Sequence, residues 1–271
     1  MNETELLFTG LLDCDRTFLY LNKGLVLDKD KLHLVSSALK KRVKGEPIQY
    51  ILGKTEFMGL EFKVTPDVLI PRPETEILVE TVIKYANRLP AIACPILELG
   101  TGSGCIAVSL AKYLPESQIT ATDVSKKALL VARYNAKLNK VAKKIKFLKS
   151  DLFKDFPICD TCLPAGKVRY AICVSNPPYI ASSEIKRLQP EVQFEPEVAL
   201  NGGSDGLYFY ENIIKSSPKY LRGRGFLIFE IGFNQKDAVK KYIQNSGYFE
   251  IIEIIKDYNN LDRVVVARML N

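Results

Sequence analysis

The sequence holds one histidine, His33, in 271 residues. A Ser-His-Asp or Cys-His mechanism needs an imidazole within reach of its nucleophile. His33 lies far in sequence from every motif described below, so that chemistry is excluded and His33 reads as structural or surface. The six cysteines (14, 94, 105, 159, 162 and 173) are scattered. Cys159 and Cys162 form a lone CxxC without the second pair that a four-thiolate zinc site requires, so no metal is expected and the two read as free thiols in a loop from Pro157 to Lys167. No apolar run reaches the ~18 residues of a membrane span. Met1-Asn2-Glu3-Thr4-Glu5 carries no basic stretch ahead of an apolar core, so no secretory signal is read. These absences point to the cytoplasm, with the cysteines kept as thiols.

What is present is an ordinary globular composition, 47% hydrophobic and 25% charged, with room for one large domain and a small one. The formal net charge is +7. A positive field helps approach to RNA, ribosomes or acidic partners, but the lysines are spread, as in Lys126-Lys127 and Lys143-Lys144-Ile145-Lys146, and a solvated basic surface explains them equally well.

Residues 1–45 read as short helices, with Leu6, Leu7, Leu11 and Leu12, then Leu34, Val35, Ala38 and Leu39, at helical spacing. Residues 46–72 change character. Tyr50 to Gly53 and Glu56 to Val64 alternate apolar and polar around a Met58-Gly59 turn, which predicts a β-hairpin linker. Pro71 and Pro73 bracket Arg72 and stiffen the chain before Glu74 opens a helix to about Arg88. Within 73–271, strands are expected at 93–99, 118–122, 145–148, 170–175 and 225–231. Helices are expected to about 113 and over 126–138, 205–221 and 234–244, and two β-runs close the chain at 249–255 and 263–269. Alternation of this kind predicts an α/β fold with a parallel, doubly wound sheet, and the final runs an antiparallel edge pair.

Gly100-Thr101-Gly102-Ser103-Gly104 follows the first strand of that sheet and opens a helix. Glycines let the backbone turn sharply and a ligand approach closely. The spacing is GxGxG: Cys105 stands where a dinucleotide fingerprint needs glycine, and no Gly-Lys-Ser/Thr follows as in a P-loop. Asp123 ends the second strand, 19 residues after Gly104, where a carboxylate can accept both hydroxyls of a ribose. Asp151, after the third strand, is placed to bind an adenine amino group, with Leu152 or Phe153 packing on the ring. All of these lie at carboxyl ends of strands, where open α/β sheets bind ligands.

The fourth strand ends in Ser175-Asn176-Pro177-Pro178-Tyr179. The prolines lack N–H groups and hold an extended backbone, which leaves their carbonyls as free acceptors. The Asn176 amide oxygen adds a third, and together they suit an NH2 group donating two hydrogen bonds. Tyr179 offers a flat face for a planar group. An amide or aromatic amine is a poor nucleophile, and aligning it ~3–3.5 Å from an electrophilic methyl removes much of the barrier. No strong base is needed first, in keeping with the missing histidine. The implied enzyme is an S-adenosylmethionine-dependent methyltransferase acting on a planar nitrogen.

At this point the sequence resembles the HemK/PrmC family of protein-(glutamine-N5) methyltransferases. The likeness extends beyond the two motifs to Gly45-Glu46-Pro47-Ile48-Gln49-Tyr50-Ile51-Leu52-Gly53, Leu69-Ile70-Pro71-Arg72-Pro73-Glu74-Thr75-Glu76, Glu195-Pro196, Ala199-Leu200, Gly202-Gly203-Ser204-Asp205-Gly206-Leu207, Glu230-Ile231-Gly232 with Gln235, and Arg263-Val264-Val265. The resemblance implies a class I, Rossmann-like catalytic domain (73–271), a β-hairpin linker (46–72) and a small helical recognition domain (1–45), short beside the family's. It also implies methylation of the glutamine in the Gly-Gly-Gln motif of class-one peptide chain release factors. Gly100 to Gly104, Asp123, Leu152 and Asn176 would then contact S-adenosylmethionine, and Asn176, Pro177, Pro178 and Tyr179 the glutamine amide. Three other readings remain: a ribosomal-protein glutamine, an adenine amine in nucleic acid, and a non-catalytic cofactor-binding scaffold. The adenine reading is disfavoured because no target-recognition domain accompanies the motif.

Overall fold

The computed structural model describes residues 2–22, 24–89, 94–154 and 169–270. The Cys159–Cys162 loop and Ala93, the expected start of the first sheet strand, lie outside the described residues.

The chain opens with three helices, α1 (Glu3–Leu12), α2 (Arg16–Leu21) and α3 (Lys29–Val43). Each has a side-chain cap: Asn2 with Glu5 in a capping box, Asp15, and Asp28. Such caps satisfy backbone donors that a helix start leaves unpaired. Leu7, Ala38 and Ile48 form the small core beneath them. Arg42 of α3 pairs with Glu3 at 2.5 Å and with Glu191 of the catalytic region at 2.9 Å, tying the helices to the rest.

The linker differs in part from the expectation. Tyr50 to Leu52, read as part of an alternating β-run that ends at Gly53, belong to a fourth helix, α4 (Ile48–Leu52). Pro47 has a φ of −55° and starts the turn, and Gly53, at φ 71°, ends it. The Tyr50 hydroxyl then donates to the buried Val68 carbonyl at 2.6 Å, a tertiary contact that alternation cannot foresee. The hairpin follows as β1 (Lys54–Phe57) and β2 (Leu60–Lys63). Met58 and Gly59 both have positive φ, 52° and 68°, the geometry that matches the twist of a two-residue hairpin turn.

Helix α5 (Pro73–Ala86) leads into β3 (Ile96–Leu99), α6 (Cys105–Tyr113), β4 (Ile119–Asp123), α7 (Lys126–Leu138), β5 (Ile145–Lys149) and β6 (Tyr170–Ser175). Then come α8 (Tyr208–Ser216), β7 (Leu221–Glu230), α9 (Lys236–Ser246), β8 (Phe249–Lys256) and β9 (Asp262–Met269). The expected 205–221 helix is shorter. Pro218 cannot continue it, and Leu221 already pairs with Tyr170, so β7 begins four residues before 225 and passes a register shift opposite Tyr170–Ile172.

The seven strands lie in the order β5-β4-β3-β6-β7-β9-β8, parallel except for β9, which pairs antiparallel with both neighbours. The final two runs thus make the expected antiparallel pair, with the last strand inserted inside β8. Each central strand buries both faces. Ile96, Ile172, Val174 and Ile228 face α5, α6 and α7 in one core. Leu97, Leu99, Cys173, Leu227 and Phe229 face α8 and α9 in the other. Such two-sided burial is what near-continuous apolar strand sequences require. Among the described residues no helix is long and apolar enough to cross a membrane.

Candidate active site

Strand order reverses between β3 and β6, and open sheets bind ligands at such a switch point. A cavity of about 250 Å³ opens there, above the carboxyl ends of β3, β4, β5 and β6.

One wall is backbone. Gly100 and Gly102 line the cavity with φ of 72° and 54°, and a Cβ built on either meets nothing within 4 Å. The glycines are needed there for the turn, and the space beside them is wide enough for a ligand to approach the backbone. Gly104 (φ 83°) does not line the cavity; its missing Cβ admits Ala132 of α7, which a built Cβ would meet at 3.0 Å. Thr101 and Ser103 are buried behind the loop. Thr101 Oγ1 donates to Glu98 at 2.8 Å, and the Ser103 carbonyl accepts from Asn135 at 2.8 Å. Asn135 also exchanges hydrogen bonds with Lys63, which locks the hairpin to the glycine loop.

Asp123 lines the cavity and accepts one backbone N–H on each oxygen, from Gly102 and from Ser125, both at 2.8 Å. Each oxygen keeps lone-pair capacity for a further donor, so a pair of vicinal hydroxyls still fits. Burial raises its pKa, against the backbone donors that lower it. Asp151 and Leu152 line the same space, with Leu152 held at φ 49° and Asp151 paired with Lys154. Glu98, under the start of α6, is fully buried. Loss of hydration pushes its carboxyl up to about 8, and among the described residues its Oε1 has no hydrogen-bond partner.

The opposite wall is made of side chains and prolines. Asn176, Pro177 and Pro178 line the cavity. Tyr179, expected to present a flat face, is not among the lining residues: its ring packs against the α8–α9 core and its hydroxyl donates to Glu230 Oε1 at 3.3 Å. Asn176 Nδ2 donates to Thr75 Oγ1 at 3.1 Å, and Thr75 in turn donates to Glu230 Oε2 at 2.8 Å. Three segments, 101 and 155 residues apart from Thr75, meet in that chain. Gly202 and Gly206 let the following loop fold back on the motif. A Cβ on Gly202 would meet the Pro178 carbonyl at 2.8 Å.

Sequence reasoning on motifs missed part of the lining. Asp67, Val68 and Leu69 come from the linker's end, and Pro196, Val198, Ala199 and Phe209 from the segments beyond the acceptor motif. Glu195 joins these two segments: it accepts from the Ile70 N–H at 3.0 Å and pairs with Arg72. The signal for them is the family likeness, which includes Leu69 to Glu76, Glu195-Pro196 and Ala199-Leu200 but assigns these stretches no role. Among the described residues no group of His, Cys, Asp and Glu could hold a metal.

A doubly wound seven-stranded sheet with a reversed inner strand near its edge, a glycine loop after β3 and an acid after β4 define the class I methyltransferase fold. Solved structures agree on that fold. The ribosomal protein L11 methylase of Lactobacillus delbrueckii superposes with a TM-score of 0.53 at 18% identity, covering 77% of this chain and 84% of that one. The N-terminal domain of human METTL16 in complex with SAH gives 0.53 at 21% identity, covering 79% and 76%. Residues 1–53 match the PrmC N-terminal domain and residues 74–189 the methyltransferase small domain. Curated relatives named release factor glutamine methyltransferase are 40% identical in Geobacter sulfurreducens, over 98% of this chain and 89% of the relative, and 40% identical in Thermodesulfovibrio yellowstonii, over 99% and 92%. The chain belongs to the release factor glutamine methyltransferase family, and it is a methyltransferase.

Proposed function

We propose that the protein methylates the side-chain amide nitrogen of the glutamine in the Gly-Gly-Gln motif of class-one release factors, with S-adenosylmethionine as donor. The observation that carries this reading is that one cavity joins the glycine loop, Asp123 and Asn176-Pro177-Pro178. Gly100 and Gly102 leave room for the cofactor at the loop, Asp123 accepts its ribose hydroxyls, and Asp151 and Leu152 bound the adenine. S-adenosylmethionine, when bound, supplies an electrophilic methyl group. The chain's own work is to hold the acceptor. The Asn176 oxygen and the carbonyls of Pro177 and Pro178 take the two N–H bonds of the amide, which presents its nitrogen in one orientation. Neither proline carbonyl accepts a hydrogen bond among the described residues. The nitrogen's proton becomes acidic only as the new bond forms, so an acceptor-lined pocket without an imidazole suffices. Release factors act in the cytoplasm, which is the compartment this reading requires.

The test is methyl transfer from labelled S-adenosylmethionine to a purified class-one release factor, to the same factor with the motif glutamine replaced by alanine, to ribosomal proteins and to adenine-containing RNA. Label on the first and none on the second is expected. Label on a ribosomal protein or RNA, with none on the release factor, overturns the proposal.

A further inference from the structure

The Asn176 side chain has two polar ends, and they are not equivalent for an acceptor that is itself an NH2 group. Presented by its oxygen, Asn176 accepts an N–H; presented by its NH2, it opposes one donor with another. Something must therefore decide which end faces the cavity. The hydrogen bonds behind Asn176 do so by donor counting. Glu230, when ionised, can only accept. It takes the Thr75 hydroxyl proton at 2.8 Å on one oxygen and the Tyr179 hydroxyl proton at 3.3 Å on the other. Thr75 has only one hydroxyl proton, so towards Asn176 it can only accept, and the Asn176 NH2 donates to it at 3.1 Å. The remaining amide oxygen is left for the cavity that Asn176 lines.

We propose that Glu230, acting through Thr75, is the positioning residue that turns the oxygen of Asn176, and not its NH2, towards the acceptor. The proposal rests on the site holding an amide or amine nitrogen. It assigns a role to two residues, on α5 and at the end of β7, that do not line the cavity.

A consequence concerns pH. Glu230 is fully buried, and lost hydration pushes its carboxyl up to about 7, with Thr75, Arg263 and Tyr179 favouring the ionised form and Glu74 opposing it. Tyr210 and Cys105 also face it. Burial holds the two tyrosines and Cys105 well above their usual ranges, and Arg263 is raised as well, so these four keep their protons near neutrality. Below the Glu230 transition its carboxyl carries a proton and can donate to Thr75. The Thr75 proton is then free to point at Asn176, which satisfies it only by inverting the amide. The ionised, acceptor-presenting form gains with rising pH. From pH 6 to 8 its share grows from about a tenth to about nine-tenths, and apparent affinity scales with that share.

The experiment follows the side-chain amide resonances of Asn176 in the cofactor-free protein between pH 6 and 8, assigned by their loss in Asn176→Ala. A transition with a midpoint near 7 is expected in the wild type and in Thr75→Ser, which keeps the hydroxyl, and none in Glu230→Gln or Thr75→Val. In parallel, KM for a purified release factor should fall about tenfold from pH 6 to 8 in the wild type and in Thr75→Ser, and stay level in the other two. Resonances that do not move in the wild type, or that move equally in Glu230→Gln, overturn the relay. Resonances that move without the change in KM overturn its positioning role. If no methyl reaches the release factor, the glutamine reading fails, and the resonances still decide the relay by themselves.

Discussion

The two walls of the cavity are built by different means. The wall proposed to face the cofactor is backbone: positive-φ glycines at 100 and 102, and a carboxylate clamped by the N–H groups of Gly102 and Ser125. Its parts lie within 26 residues of one another, Gly100 to Ser125. The opposite wall, Asn176, Pro177 and Pro178, is backed by a chain of side chains, Asn176–Thr75–Glu230, drawn from the end of β6, α5 and the end of β7. A backbone wall is fixed by the fold and tolerates side-chain change poorly only where the turn or the close approach demands it. A wall backed by side chains can change the donor pattern it presents without moving its backbone, because a proton shift behind Asn176 and an inversion of its amide are enough. The first suits a cofactor common to many enzymes; the second suits discrimination between acceptors.

Substitutions should separate the walls. On the proposed function, Asn176→Ala removes an acceptor that acts on the reacting nitrogen itself. By analogy with the loss of one transition-state hydrogen bond, turnover should drop by ~10²–10³, with cofactor affinity, read by calorimetry, within a few-fold of wild type. Asp123→Ala removes charged acceptors on the other wall. Hydrogen bonds to a charged group contribute about 1.5–3 kcal/mol, so cofactor Kd should rise by about 10–100-fold while kcat at saturating cofactor changes much less. Equal loss of cofactor affinity in both variants would erase the distinction.

The contrast also explains what the sequence shows and what it hides. The glycine loop, Asp123 and the Asn176 motif are contiguous or sit at strand ends, so βα alternation alone places them at one sheet edge. Strand and helix positions from 119 to 175 follow the apolar pattern closely, with α7 at Lys126–Leu138 as expected. Thr75 and Glu230 stand in stretches that carry the family likeness, but nothing local assigns them a role: a threonine in a first helical turn and an acid ending a strand are common, and only the packing of α5 against β7 brings them together. Tyr179 shows the converse. Its ring is conspicuous in the motif, yet its hydroxyl is turned inward to Glu230 and away from the lining. The linker failed locally as well, since Pro47 and Gly53 delimit a short helix that apolar alternation at Tyr50–Gly53 disguises. Within the glycine loop the spacing could not say which glycine serves the ligand and which serves packing.

Gly104→Ala tests that last division. A built Cβ would stand 3.0 Å from Ala132 Cβ and 3.1 Å from its Cα, at a φ of 83° that L residues rarely adopt. Forcing α6 and α7 apart should destabilise the protein by about 1–3 kcal/mol in denaturant melts. Gly102→Ala has an unfavourable φ of 54° but nothing within 4 Å of the new methyl. It should cost about 1 kcal/mol of stability and show itself mainly as weaker cofactor binding. If the two variants lose the same stability, Gly104 is not the packing glycine.

The smallest effect, per unit of pH, concerns the second buried acid. Glu98 lies behind the backbone wall as Glu230 lies behind the opposite one, but it holds no relay: one oxygen accepts from Thr101 and, among the described residues, the other has no hydrogen-bond partner. Burial raises it from 4.5 to about 8, with Asp123 adding to the rise and Thr101 opposing it. Between those values the folded state binds a proton that the unfolded chain has released. Stability therefore falls as pH rises through that window, by at most ~1.4 kcal/mol per unit. Glu98→Gln cannot ionise, so it should melt near the wild type at pH 5 and above it at pH 8. Glu230→Gln should do the same over a narrower span ending near 7, because its carboxyl is raised only to about 7. What separates them is the acceptor: changing Glu98 should leave the pH dependence of KM intact, whereas changing Glu230 should flatten it. Melting curves at pH 5, 6, 7 and 8, beside KM at 6 and 8, check both halves. A Glu98→Gln variant that flattens KM would show that the two walls share one proton equilibrium and are not independent.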